Sequence, residues 1–205
     1  MLVLDHIAVL GETLEEAATH VETCLGQPML PGGRHDRFGT HNRLLGLDPD
    51  LYLEAIAVDP SAPKPEDARW FGLDHFRGAA RLDKWICRVP DIDAALAILP
   101  EAGRRVDVSR GALHWAMAVP EDGILPFDGM FPALIQWKSD VLPGKTLQRS
   151  GYELRQLVVR HPEAAALSSR LAPLLETPCV RIEAAETAGL HAVLKRGDGT
   201  QVVLK

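Results

Sequence analysis

The chain has 205 residues, 46% of them hydrophobic and 24% charged, which suits one sizeable domain or two small ones sharing a core and excludes general disorder. A formal net charge of −6 excludes a dedicated nucleic-acid binder, because such proteins need a basic footprint to neutralise phosphates. No apolar run approaches the roughly 20 residues of a membrane helix, and Cys24, Cys87 and Cys179 stand too far apart for a CxxC metal pair or a secreted disulfide framework. Small molecules or protein partners remain.

The N-terminus, MLVLDHIAVL, has neither a basic n-region nor a small-residue cleavage site, so a cytoplasmic protein is expected. LDHIAVL reads as a buried strand with His6 between apolar neighbours, and Thr13 to Leu25 carries helical spacing that stops at Gly26. Thr13 with Glu16 three residues later predicts a capping box. Pro28 to Gly33 breaks the helix. HNRLLGL and DLYLEAIAV then read as strands separated by Asp48-Pro49-Asp50. Residues 1–60 thus make one βαβββ unit.

Residues 61–81, rich in Pro, Ala and charge, read as a connection over the surface. Over 82–140 the order recurs: KWICRV as a strand, IDAALAILPEAG as a short helix, ALHWAMAV and PALIQW as later strands. A third, shorter βαβββ-like unit spans 152–205, with LRQLVVRH, a helix introduced by Pro162, then VRIEAA, HAVLKRG and TQVVLK. Gly197 to Gly199 (GDG) between two apolar runs is a hairpin signal. His41, His114 and His191 each open an apolar strand at an equivalent place in the three units, which supports duplication more than a three-histidine site. The fold class predicted is α+β, with repeated βαβββ units forming curved mixed sheets around a pocket, all in one compact domain.

LDHIAV, PGGRHDRFGTHNRLLGL with DLYLEAIAVDP, and FPALIQW together resemble the glyoxalase-like branch of the vicinal oxygen chelate superfamily; the GGRH…GTHN…YLE string is the more specific part. The resemblance implies paired βαβββ units around a pocket that often holds a divalent metal. Lyases, isomerases, dioxygenases and metal-free binding proteins share that fold, so it does not fix a reaction. In metal-dependent members the ligands come from the first and last strands of each unit. Carried over position by position, this gives His6 and Glu54 from the first unit and Gln136 from the second, with Lys84 or Trp85 where a fourth ligand would stand. Zinc, nickel, manganese or iron would suit the imidazole and carboxylate. The weak amide ligand keeps a metal-free binding or sequestering protein, with a vestigial site, as the alternative.

Glu54 is the acid that the resemblance places where a proton would move, which makes it the catalytic candidate. Gly32, Gly33 and Gly39 permit turns in a loop where Arg34, His35, Arg37 and Arg43 concentrate positive charge. Arg34, His35 and Asn42 are therefore candidates for binding a substrate carboxylate or phosphate. Trp85 is a further substrate-binding candidate, and Trp70, Trp115 and Trp137 read as core or pocket lining. Ser109-Arg110-Gly111 lacks the context of a nucleophile motif, and no HExxH or phosphate loop occurs. Edge strands in such repeats favour pairing, so a homodimer is a further expectation.

Overall fold

Strands covered on both faces should be apolar almost throughout. Two such runs, β1 (Val3–Leu10) and β4 (Leu51–Val58), lie beside β5 (Arg81–Arg88), whose apolar stretch is Trp85 to Cys87, at the centre of one large curved sheet in the computed structural model. The structure describes residues 1–140 and 142–205, apart from the side chain of Asp48. Together with β2 (Leu30–His35) and β3 (Thr40–Asp48), the first unit has the order β2-β3-β4-β1. The second mirrors it as β5-β8-β7-β6, from β6 (Arg104–Arg110), β7 (Leu113–Val119) and β8 (Ala133–Trp137). In each unit the first strand runs parallel to the last, and β1 and β5 join the units antiparallel. The fold is the α+β arrangement that the repeats predict.

Helix α1 (Leu14–Leu25) has the predicted capping box, with the Glu16 N–H donating to Thr13 Oγ1 (3.2 Å) and the Thr13 N–H to Glu16 Oε2 (3.1 Å). It ends at Gly26 in the left-handed region, φ 68°. Ala17, Ala18, Val21 and Leu25 form its buried face and share one core with Ile7 and Val9. Helix α2 (Ile92–Ile98) is capped by Asp91, which accepts from the N–H groups of Asp93 and Ala94.

After a short helix α3 (Pro143–Thr146), the remaining elements are β9 (Arg149–His161), α4 (Ala164–Leu171), β10 (Val180–Ala184), β11 (Gly189–Arg196) and β12 (Gln201–Leu204). Their order repeats the βαβββ pattern but their pairing does not: β9 lies between β10 and β11, and β12 forms the outer edge. Strand β3 pairs with β2 along Thr40 to Leu44 and with β9 at Gly46 and Asp48. The GDG turn joins β11 to β12, with Gly199 at φ 92°. No helix among the described residues is long and apolar enough to cross a membrane.

The structure adds two strands to those expected and corrects one connection. The helix ends before Pro28 as expected, but the strand that follows begins at Leu30 and not at Arg34, because an outer strand tolerates Pro31 and its glycines let neighbouring chain approach closely. RRVDVSR forms β6 although only Val106 and Val108 are buried in it, too little apolar signal to read unaided. The 61–81 connection is not wholly superficial: Trp70, Phe71, Leu73 and Phe76 are buried in the core.

Candidate functional site

One cavity opens between the two walls that the first eight strands build. Its enclosed space is about 40 Å³, within about 440 Å³ of empty volume once the open mouth is counted. The first unit supplies His6, His35, Asn42, Tyr52 and Glu54; the second supplies Arg110, Trp115, Met117, Ile135 and Trp137; Trp70 and Phe71 come from the connection. Phe71 holds a left-handed φ of 62° there, a conformation costly for a bulky side chain and held by its surroundings.

Strand register sets the polar floor. His6 lies opposite Tyr52 on the parallel β1–β4 pair, and their rings stack at 4.3 Å. A one-residue bulge in β1 against β5 falls at Asp5, so two consecutive side chains meet instead of pointing to opposite faces. Asp5 Oδ1 lies 2.7 Å from His6 Nδ1, and Asp5 Oδ2 accepts from Trp137 Nε1 at 3.1 Å. On the other side His6 Nε2 stands 3.5 Å from Glu54 Oε2. Burial alone would strip the imidazole of its proton, but the hydrogen bonds and charges of Asp5 and Glu54 outweigh it and raise the His6 pKa to about 9. Burial likewise opposes the Glu54 charge, yet His6 and then Asn42 hold its pKa below the ordinary value. The two form a buried ion pair.

Asn42 faces Glu54 because Leu44 is the register partner of Glu54 and Asn42 stands two residues along the same face. Its Nδ2 donates to Glu54 Oε1 at 2.6 Å, and its Oδ1 accepts from the Gly33 N–H at 2.7 Å. Arg110 Nη1 reaches the same Oδ1 at 3.5 Å and His35 Nε2 at 3.2 Å. A guanidinium only donates, so His35 Nε2 is the acceptor and its Nδ1–H donates to Thr40 Oγ1 (3.0 Å). Burial, with the Arg110 charge adding to it, lowers the His35 pKa to about 4. The neutral ring and the donor pattern agree.

The structure thus brings His6, Glu54, His35 and Asn42 into one cavity and leaves three other candidates out of it. Gln136 is occupied elsewhere: its Oε1 accepts from the Ile92 N–H (3.1 Å) and its Nε2 donates to the Pro90 carbonyl (2.9 Å), so it braces the start of α2. Arg34 lies at the surface, 3.3 Å from Asp59. Trp85 is fully buried and donates to the Met130 carbonyl at 2.8 Å. Asp5 and Arg110 are site residues that sequence reasoning missed, whereas Tyr52 enters on the strand face that period 2 gives it with Glu54. A period-2 reading puts Asp5 on the wrong face, and Arg110 reaches His35 from 75 positions along the chain.

The donor set does not fit a resident metal. Of the ligands carried over, only His6 and Glu54 reach the cavity, because Gln136 is turned to the start of α2, and two protein ligands are fewer than the three or four of a resident site. Trp115, Met117, Ile135 and Trp137 form the facing wall. Among the described residues no cluster of three His, Cys, Asp or Glu side chains is arranged to hold a metal ion.

A curved sheet of paired βαβββ units around a polar-floored cavity defines the vicinal oxygen chelate class. A model of the glyoxalase-like domain family matches residues 4–175, and the chain belongs to that family. A hypothetical protein from Staphylococcus aureus has a similar fold, with a TM-score of 0.70 and 18% identity over 98% of this chain and 93% of that one. Methylmalonyl-CoA epimerase from Mycobacterium tuberculosis is less similar, with a TM-score of 0.43 and 18% identity over 67% of this chain and 88% of that one. A single-substitution variant of the Streptomyces coelicolor methylmalonyl-CoA epimerase, in complex with 2-nitronate-propionyl-CoA, gives 0.43 and 16% over 69% and 98%. No protein of curated function matches the sequence.

Proposed function

We propose that this is a metal-independent small-molecule-binding protein, in which His6 and Glu54 serve as a fixed ion pair in the cavity floor. The observation that carries the reading is the use already made of the ligating atoms: Asp5 and Glu54 take both nitrogens of His6, and Asn42 takes the other Glu54 oxygen. Glu54, the catalytic candidate, has both carboxylate oxygens engaged, one by Asn42 and one facing His6, which leaves neither turned freely toward a ligand. This favours binding over the lyase, isomerase or dioxygenase chemistry found among relatives of this fold. The polar floor and the aromatic walls suit a small ligand with one hydrogen-bonding end and a flat apolar body.

Metal analysis of protein purified without chelator, followed by thermal denaturation with added zinc, nickel, manganese or ferrous iron, tests the reading. Substoichiometric metal and an unchanged Tm are expected. About one equivalent of bound metal that raises Tm and is lost in His6→Ala or Glu54→Ala would overturn it in favour of a metal-assisted enzyme.

A further inference from the structure

The charges around the cavity do not balance among themselves. His6 lies between Asp5 and Glu54, and Arg88 stands 3.8 Å from Asp5. Arg110, half-buried at the end of β6, has no carboxylate partner among the described residues. The acceptors that Nη1 meets are the His35 ring and the Asn42 amide, both neutral. That leaves the Nε and Nη2 donors of a five-donor fork without a protein acceptor among those residues. The side chain is seated: a Cβ on Gly33 would come within 2.7 to 2.9 Å of its Cδ, Nη1 and Nε, so Arg110 lies flat on the backbone of β2. Trp115, Trp137 and Trp70 line the same cavity.

We propose that the Arg110 guanidinium docks the carboxylate of a small aromatic acid whose ring lies against these tryptophans. The assignment rests on the reading of the cavity as a metal-independent ligand site and names its ligand class. A planar fork matches a carboxylate in two parallel hydrogen bonds. One unpaired cation calls for a monoanion; a dianion would bury excess charge near Glu54 at high cost. Asn42 stands between the two, its amide N–H turned to Glu54 and its oxygen to Arg110, which keeps the ligand's charge apart from the carboxylate of the floor.

Isothermal calorimetry with 2-naphthoate and its neutral counterpart 2-naphthamide tests this on chelator-treated wild type, Arg110→Gln and Arg110→Lys. Wild type should bind the acid about tenfold or more tighter than the amide, as a charge-assisted pair implies. Arg110→Gln should lose that preference, with acid affinity falling about tenfold or more and amide affinity falling much less, and Arg110→Lys should fall between, keeping charge without the fork. Equal affinity for acid and amide in wild type, binding of neither, or an acid affinity indifferent to Arg110→Gln overturns the assignment. Binding that requires added zinc and vanishes in His6→Ala overturns the metal-independent reading as well. Metal-free binding of the acid that ignores Arg110→Gln overturns the carboxylate dock alone.

Discussion

His6 and His35 are both buried, yet their pKa values move in opposite directions, to about 9 and about 4. Burial disfavours charge on both rings; carboxylates on both sides of His6 reverse the outcome, while the Arg110 guanidinium beside His35 reinforces it. Each shift carries its own dependence of stability on pH. Between the ordinary histidine pKa of about 6.5 and 9, the folded state holds the His6 proton more tightly than the unfolded state. Stability from His6 is therefore full below 6.5 and is lost as pH rises through about 9. For His35 the unfolded state binds the proton more tightly, so its contribution is full above 6.5 and is lost as pH falls through about 4. Urea unfolding across roughly pH 4 to 10 should show slopes of opposite sign on either side of about 6.5, each approaching ~1.4 kcal/mol per pH unit. His6→Gln should flatten the alkaline slope and His35→Gln the acid one; if both slopes survive in both variants, other groups carry them. His6 and Glu54 are legible through the family resemblance, and His35 and Asn42 through the glycines and clustered positive charge of the segment that holds them. Asp5 and Arg110 are not, since one depends on a bulge and the other on a contact between distant strands.

The two glycines of β2 show how an element positions a site. The sequence suggests that they ease a turn, but both sit within a strand and what they provide is space. A Cβ on Gly32 would come 2.5 Å from the Asn42 carbonyl oxygen and closer still to its Oδ1; for a Cβ on Gly33 the three nearest atoms all belong to the Arg110 side chain. Gly32→Ala must therefore move backbone, and a loss of about 1–3 kcal/mol in urea unfolding is expected. Gly33→Ala displaces a flexible side chain instead, so stability should change by about 0.5 kcal/mol or less while affinity for 2-naphthoate falls. Equal stability losses in the two variants would show that β2 responds as a unit. The strands with continuous apolar runs are readable from the sequence. β6, with two buried valines, and the buried turn at Trp70–Gly72 gain their identity from what packs on them and so are not.

At the scale of the whole molecule, the third unit is tied directly to the first. The Leu2 N–H donates to the Leu174 carbonyl (2.7 Å) and the Glu176 N–H to the Leu2 carbonyl (2.8 Å), while the Tyr152 hydroxyl donates to the Leu25 carbonyl (3.0 Å). One buried cluster runs from Leu2 to Leu204. We expect a single calorimetric unfolding transition whose calorimetric and van't Hoff enthalpies agree; two resolved transitions would separate the C-terminal unit from the rest. The repeated element order is legible along the chain. The altered pairing of β9, β10 and β11 is not, because periodicity identifies a strand without naming its neighbours. Walls from both units of one chain enclose the cavity, so the homodimer expected from exposed strand edges is not needed to build it.

The arrangement of indoles has an optical consequence. Trp70, Trp115 and Trp137 border the cavity, whereas Trp85 is sealed in the core with its N–H bound to the Met130 carbonyl. A molecule entering the cavity touches three of the four emitters and leaves the fourth as a constant background, so the chain carries a built-in reporter of its own occupancy.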